Sequence, residues 1–301
     1  RQFWQVEEIK RDTLDIYHGL SHELPKGIEN TGAASVVTIH DLIFLRYPEY
    51  FPWIDRQIYY RKFKHAIEKS LKIVAICEQT KRDILHYFSV SEDKIEVLYQ
   101  SAHPRFYYKR SPQEREKVLS KYALSSPYLL YVGAFEERKN VLAFLKAYAK
   151  ARAKEDYQLV LVGKGSDTYT QKMNEVIQQH GIEDKVRFLN QVPADELPHL
   201  YQSSSLFVFP SSFEGFGIPI VEALFSRVPV ITSLGSCFPE TGGPDTAYVE
   251  SGNIEELSAE IDAILGDEAR QKHMIEKGRD YAQKFHQQKT TEALMNFYQS
   301  L

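Results

Sequence analysis

Two glutamates and the turn between them hold the most chemical information in this chain. Residues 203–226 read SSSLFVFPSSFEGFGIPIVEALFS, with seven residues between Glu214 and Glu222. The apolar run 206–209 reads as a strand, the Glu-Gly-Phe-Gly segment as a turn, and Pro219 as the first residue of a helix with Glu222 on its first turn. Proline suits the first helical position, where its missing N–H would have been unpaired anyway. Unpaired N–H groups and the helix dipole favour an anion there, and Gly215 and Gly217 let backbone N–H groups of the turn, those of Phe216 and Gly217, approach a ligand closely. Carboxylates beside an anion are costly unless they accept hydrogen bonds, and sugar hydroxyls are good donors. The layout fits a nucleotide-sugar, with ribose, diphosphate and transferred sugar in a row. The turn alone fits equally well a strand–helix connection with two solvated glutamates.

Other chemistry-bearing residues also fall just after apolar runs. Gly133 ends the run 128–132, and Arg138-Lys139-Asn140 precede a helical pattern beginning at Val141. Two cations at the carboxyl end of a parallel strand would meet a diphosphate, with Asn140 as the helix cap; a solvated basic pair is the bland alternative. His40-Asp41 follow the run 36–39, where the histidine would contact the sugar or phosphate and Asp41 would cap the loop. Asn190-Gln191-Val192-Pro193 follow the run 186–189. The segment Gly163-Lys164-Gly165-Ser166 lacks the spacing of a P-loop and would line the cleft.

The elements that must hold these residues alternate in type. Short continuous apolar strands fall near 36–39, 73–77, 95–98, 128–132, 159–162, 186–189, 206–209 and 230–232. Helical patterns fall near 54–70, 79–88, 140–153, 168–180, 194–202, 219–226, 254–265, 268–285 and 288–300. Alternation of this kind predicts an α/β fold with parallel sheets covered on both faces. The stretch 101–127 interrupts it with Pro104, Pro112, Pro127 and mixed charge. It divides the chain into an N-terminal domain over 1–110, a linker over 111–126, a nucleotide-sugar-binding domain over 127–280 and a last helix over 281–301 that crosses back to the N-terminal domain. Three strands precede the linker, so the N-terminal domain reads as incomplete for a doubly wound domain.

The sequence PSSFEGFGIPIVEAL resembles the two-glutamate signature of retaining glycosyltransferases of family four, which have the GT-B architecture of two doubly wound Rossmann-like domains facing a cleft. Thr38-Ile39-His40-Asp41-Leu42, Tyr131-Val132-Gly133 with Arg138-Lys139-Asn140, Pro229-Val230-Ile231-Thr232 and Pro239-Glu240 match in the same order, so the resemblance runs from about Tyr17 onwards. It implies that Glu214 positions the donor sugar, Glu222 holds the ribose, and Lys139 with Arg138 meets the leaving diphosphate. It also implies that Gly133, Gly215, Phe216, Gly217 and Ile218 lie along the nucleotide-sugar, that Val192 contacts the base, and that His40 lies near the transferred sugar. Retention by a front-face mechanism, without a covalent glutamate intermediate, comes from the same source. Many members carry an arginine directly after the strand glycine where this chain has Ala134, and Arg138 is the candidate substitute. The family's opening strand and glycine-rich loop are not visible.

Similarity to bacterial mannosyltransferases of surface polysaccharide synthesis favours GDP-mannose as donor over a UDP-sugar, and a glycan or lipid-linked saccharide as acceptor. The expected enzyme is a hexosyltransferase with no cofactor and no metal. A non-catalytic nucleotide-sugar or glycan-binding relative is the alternative. The net charge of −4 gives no reason to expect nucleic acid. Two distant cysteines, Cys77 and Cys237, argue for a reducing compartment, and no apolar run reaches the ~20 residues of a membrane span, so a cytoplasmic location is expected. Residues 56–72 carry six cations against Glu68 alone, interleaved with Ile58, Tyr59, Tyr60, Phe63 and Ile67. That pattern is either a solvated helix face or a surface for peripheral association with the inner face of a membrane.

Overall fold

The computed structural model describes residues 2–124 and 127–301, without the side chains of residues 2–4. It divides into two compact units. The first comprises Arg1–Gln100, Glu214–Phe216 and Gln288–Leu301; the second comprises Ser101–Phe213 and Gly217–Gln287.

The first unit holds a parallel sheet of β1 (Ile16–Gly19), β2 (Ala34–Ile39), β3 (Lys72–Ala75) and β4 (Ile95–Val97), in that spatial order. Side chains alternate across a strand, so neighbours in β2 serve opposite faces. Val37 and Ile39 join a core with Phe44, Phe63, Ile67 and Ile73. Val36 and Val74 pack instead on Phe297, flanked by Leu294 and Tyr298 of the helix Gln287–Gln299. Burial on both faces explains why this strand reads as a continuous apolar run.

β1 was absent from the sequence reading. Its four residues, Ile-Tyr-His-Gly, are mostly half-buried and carry no apolar run. Pairing with β2 and a hydrogen bond between His18 Nε2 and Thr38 Oγ1 (2.7 Å) hold it in place. This sheet therefore has four strands, one more than the sequence suggests.

The second unit holds six parallel strands: β5 (Tyr128–Val132), β6 (Gln158–Val162), β7 (Val186–Leu189), β8 (Leu206–Phe209), β9 (Val230–Ser233) and β10 (Ala247–Val249). Their spatial order is β10-β9-β8-β5-β6-β7. β5 and β8 are buried almost throughout, with helices on the sheet. β10, only Ala-Tyr-Val, was also unread: three residues are too few for a period.

The expected linker is not one. Ser111 caps the helix Pro112–Lys121 through a capping box with Glu114, and Pro112 opens it. Arg115 Nη1 donates to the Gln202 carbonyl (2.9 Å), and the Arg110 N–H donates to Gln202 Oε1 (2.8 Å). The segment from Ser101 belongs to the second unit. Proline and mixed charge looked like a break because a helix start uses the same residues. Ser125 and Ser126, at the end of that expected linker, lie outside the described residues, as does Arg1. Residues 281–287, expected with the last helix, stay with the second unit, where Phe285 is fully buried.

Candidate functional site

The strand order of the second sheet reverses once. From β5 the chain moves outward to β6 and β7, then returns to place β8 on the other side of β5 before continuing to β9 and β10. The loops leaving the carboxyl ends of β5 and β8 diverge at that point, and such a crevice is where open α/β sheets bind ligands. Both sequence motifs of the second unit sit on these two loops.

After β5, Gly133 donates its N–H to the Val162 carbonyl (3.0 Å). The loop then forms a 3-10 turn, Glu137–Lys139. The Arg138 guanidinium donates to the Phe213 carbonyl and pairs with Glu136 Oε1 (2.7 Å), while the Arg138 carbonyl accepts from the Ser212 N–H (2.8 Å). Arg138 thus ties the β5 loop to the β8 loop. Ser211, fully buried, adds hydroxyl bonds to the same carbonyls. The sequence reading missed this role for Ser211 and Ser212, whose only signal was a polar pair closing an apolar strand. Lys139 Nζ lies 5.5 Å from the centre of the Phe209 ring, so its cation sits over the last residue of β8. Asn140 holds the cap position as expected but does not cap. It adopts a left-handed backbone, φ 54°, and its amide donates to Ser251 Oγ (2.8 Å).

After β8, the chain reaches Gly217 at φ 90°, ψ 46°, a left-handed conformation that glycine adopts without strain. The helix Ile218–Phe225 starts there. Ile218 is its first residue and Pro219 its second, one position later than expected. Glu222, expected on the first turn, is on the second. This helix is apolar apart from that residue, with Ile220, Val221, Ala223, Leu224 and Phe225 buried. Glu222 is therefore a carboxyl in apolar surroundings, and burial pushes its pKa up to about 7. The buried Tyr201 hydroxyl donates to Glu222 Oε2 (3.1 Å) and, with Arg105 at longer range, partly offsets that rise. Tyr201, from the helix Leu197–Ser203, is a second site residue the sequence did not expose.

Between these loops and β6, Gly163 is needed for close approach: a Cβ there would lie 1.9 Å from the Gly133 carbonyl oxygen. A cavity of about 450 Å³ opens beside it, lined by Ala134, Phe135, Glu136, Lys164 and Tyr169 among others. Val192 is half-buried in the loop after β7, on the same carboxyl edge of the sheet.

His40 follows β2 in the first unit. Its Nε2 faces the Leu20 carbonyl (2.9 Å) and its Nδ1 faces Gln100 Nε2 (3.2 Å), so the neutral ring carries its proton on Nε2. His22 packs edge-on at 5.1 Å; burial first, and then His40, lower its pKa to about 4. Asp41 caps as expected, Oδ1 accepting from the Ile43 N–H (3.1 Å). Glu214, Gly215 and Phe216 group with this unit. Within it, a Cβ at Gly215 would meet the His40 carbonyl oxygen at 2.5 Å, so that position also requires glycine. Among the described residues no cluster of three or more His, Cys, Asp or Glu could hold a metal ion.

Two parallel α/β units, the second with a crevice of cation, helix start and buried carboxyl, place the molecule in the GT-B class of Rossmann-like proteins. Residues 113–281 match the model of the glycosyl transferases group 1, and residues 5–104 that of glycosyltransferase family 4. The chain belongs to the group 1 glycosyl transferases and is a glycosyltransferase.

Among its relatives is O-antigen chain mannosyltransferase B of Escherichia coli, 32% identical over all of this chain and 77% of that protein. O-antigen chain mannosyltransferase RfbU of Salmonella typhimurium is 30% identical over 76% of this chain and 60% of its own length. A glycosyltransferase structure from Rickettsia africae superposes with a TM-score of 0.82 at 21% identity, covering 99% of this chain and 80% of that one.

Proposed function

We propose that this enzyme transfers a hexose, mannose first among candidates, from a nucleotide diphosphate sugar to a glycan or lipid-linked saccharide, with retention at the anomeric carbon. The observation that carries the reading is the convergence of Lys139, the Gly217 helix start and Glu222 at the strand-order reversal of the second sheet. Lys139 and the N–H groups of Phe216 and Gly217 would take up the charge of the departing diphosphate; fixed donors of that kind need no reorganisation during reaction. Glu222 would hold the ribose and Glu214 the donor sugar. Arg138 would act through the turn it braces, and His40 would meet the sugar.

The names of the two bacterial relatives support mannose, and with it GDP-mannose. A UDP-sugar is the alternative donor. The departure at Ala134, together with an Arg138 engaged at Phe213, favours as a second reading a relative that binds nucleotide-sugars without transferring them.

Two buried thiols, Cys77 and Cys237, support a reducing, cytoplasmic setting. No helix among the described residues is long and apolar enough to cross a membrane. The helix Trp53–Lys69 exposes Trp53 (66%), Ile54 (65%) and Ile58 (46%) beside its lysines, which supports peripheral association with a membrane face.

The test is turnover of GDP-mannose and UDP-glucose with a mannosylated acceptor, the product anomer being read by NMR. Turnover of GDP-mannose to an α-linked product is expected. A β-linked product would refute retention, and nucleotide binding without turnover would favour the binding-only relative.

A further inference from the structure

The second unit has another cavity, at the opposite edge of its sheet from the switch-point loops. It measures about 270 Å³ and is lined by Lys109, Arg115, Gln202, Phe225, Ser226 and Arg227. Ser226 and Arg227 follow the end of the helix Ile218–Phe225, and Gln202 is in the last turn of the helix Leu197–Ser203 before β8, so both places lie at the amino ends of strands. Three of the six lining residues are cations and none is a carboxylate. No ion pair joins Lys109, Arg115 or Arg227 to an acidic group among the described residues.

The polar atoms around this cavity are incompletely satisfied. Ser226 is 2% exposed and its Oγ has no hydrogen-bond partner. Arg115 donates through Nη1 to the Gln202 carbonyl, but its Nε is buried without a partner. Three cations lining one cavity suit a tetrahedral oxyanion, since guanidinium groups bind phosphate through paired N–H donors. The space exceeds one phosphate, and Phe225 supplies an apolar wall.

We propose that this cavity binds a phosphate group, carried either by a small soluble ester or by a lipid headgroup, separately from the donor site. Arg227 gives a clean test. It occupies a left-handed backbone, φ 63°, just after the helix, a position where glycine is usual. Arg227→Gly therefore removes the cation while easing the backbone. Ser226→Ala removes a hydroxyl that has no partner, so it leaves the thermal midpoint unchanged or raised unless a ligand is bound.

Calorimetric titration with inorganic phosphate, with the proposed donor site saturated by GDP, is expected to show one millimolar or tighter site. Arg227→Gly should weaken it about tenfold or more, the usual loss for a charge-assisted hydrogen bond, and Ser226→Ala should weaken it less. Lys139→Ala should leave it intact. Sedimentation with phosphatidylcholine vesicles, with and without phosphatidic acid, separates the sources: Arg227-dependent binding to the acidic vesicles assigns a lipid headgroup, and phosphate binding alone assigns a soluble ester. Absence of both, or binding that survives Arg227→Gly undiminished, would overturn the proposal.

Discussion

The two sheets are built from the same parts and differ in strand order. In the first, β1 to β4 lie side by side in the order the chain makes them, so no two adjacent carboxyl-end loops are forced apart. In the second, the return from β7 to β8 opens a crevice beside β5, and Lys139, the Gly217 turn and Glu222 gather there. The first sheet carries a histidine whose two ring nitrogens already face Leu20 and Gln100. The second carries a cation, a helix start and a carboxyl held against its preferred charge. Topology, more than composition, is what supports the proposal that the second sheet binds the donor.

The sharpest way to break that asymmetry is Lys139→Ala. Loss of one charge-stabilising group typically costs 10²–10³-fold in turnover, so transfer should fall by roughly that factor with the thermal midpoint nearly unchanged. Full activity would remove Lys139 from the mechanism.

The pH dependence of stability comes next. Glu222 has a pKa of about 7 in the folded chain against 4.5 ordinarily. Between those values the folded chain keeps a proton that the unfolded chain has released, so stability falls as pH rises through that window, by up to about 3 kcal/mol. Glu222→Gln should flatten the slope and raise the thermal midpoint near pH 8, while weakening nucleotide binding. A slope unchanged by the substitution would show that Glu222 is not the group responsible.

Smaller effects probe the supports. Gly217→Ala should cost about 1–2 kcal/mol, because a Cβ is strained at φ 90°. Ser111→Ala should cost about 1 kcal/mol by removing the cap of the helix Pro112–Lys121. Denaturant unfolding measures both. No loss for Ser111→Ala would return that helix to the status of a tether.

How much was legible follows from what each residue must do locally. The turn at 214–222 could be read because glycine and proline have positional meanings that do not depend on distant contacts. β2, β5 and β8 could be read because burial on both faces forces continuous apolar runs. β1 and β10 could not: they are short, and pairing with a neighbouring strand holds them. The same limit hid Tyr201, whose hydroxyl meets Glu222 from another helix, and Arg138's grip on the Phe213 carbonyl. Charge could be read at Lys139, but its seat over Phe209 depends on β8 returning beside β5.

The most direct test of the central claim is calorimetric titration of the chain with GDP and with UDP, without added metal, in the native form and in Lys139→Ala and Glu222→Ala. The account predicts one nucleotide site, tighter for GDP, weakened about tenfold or more by either substitution. Binding that neither substitution disturbs would place the nucleotide elsewhere and contradict it.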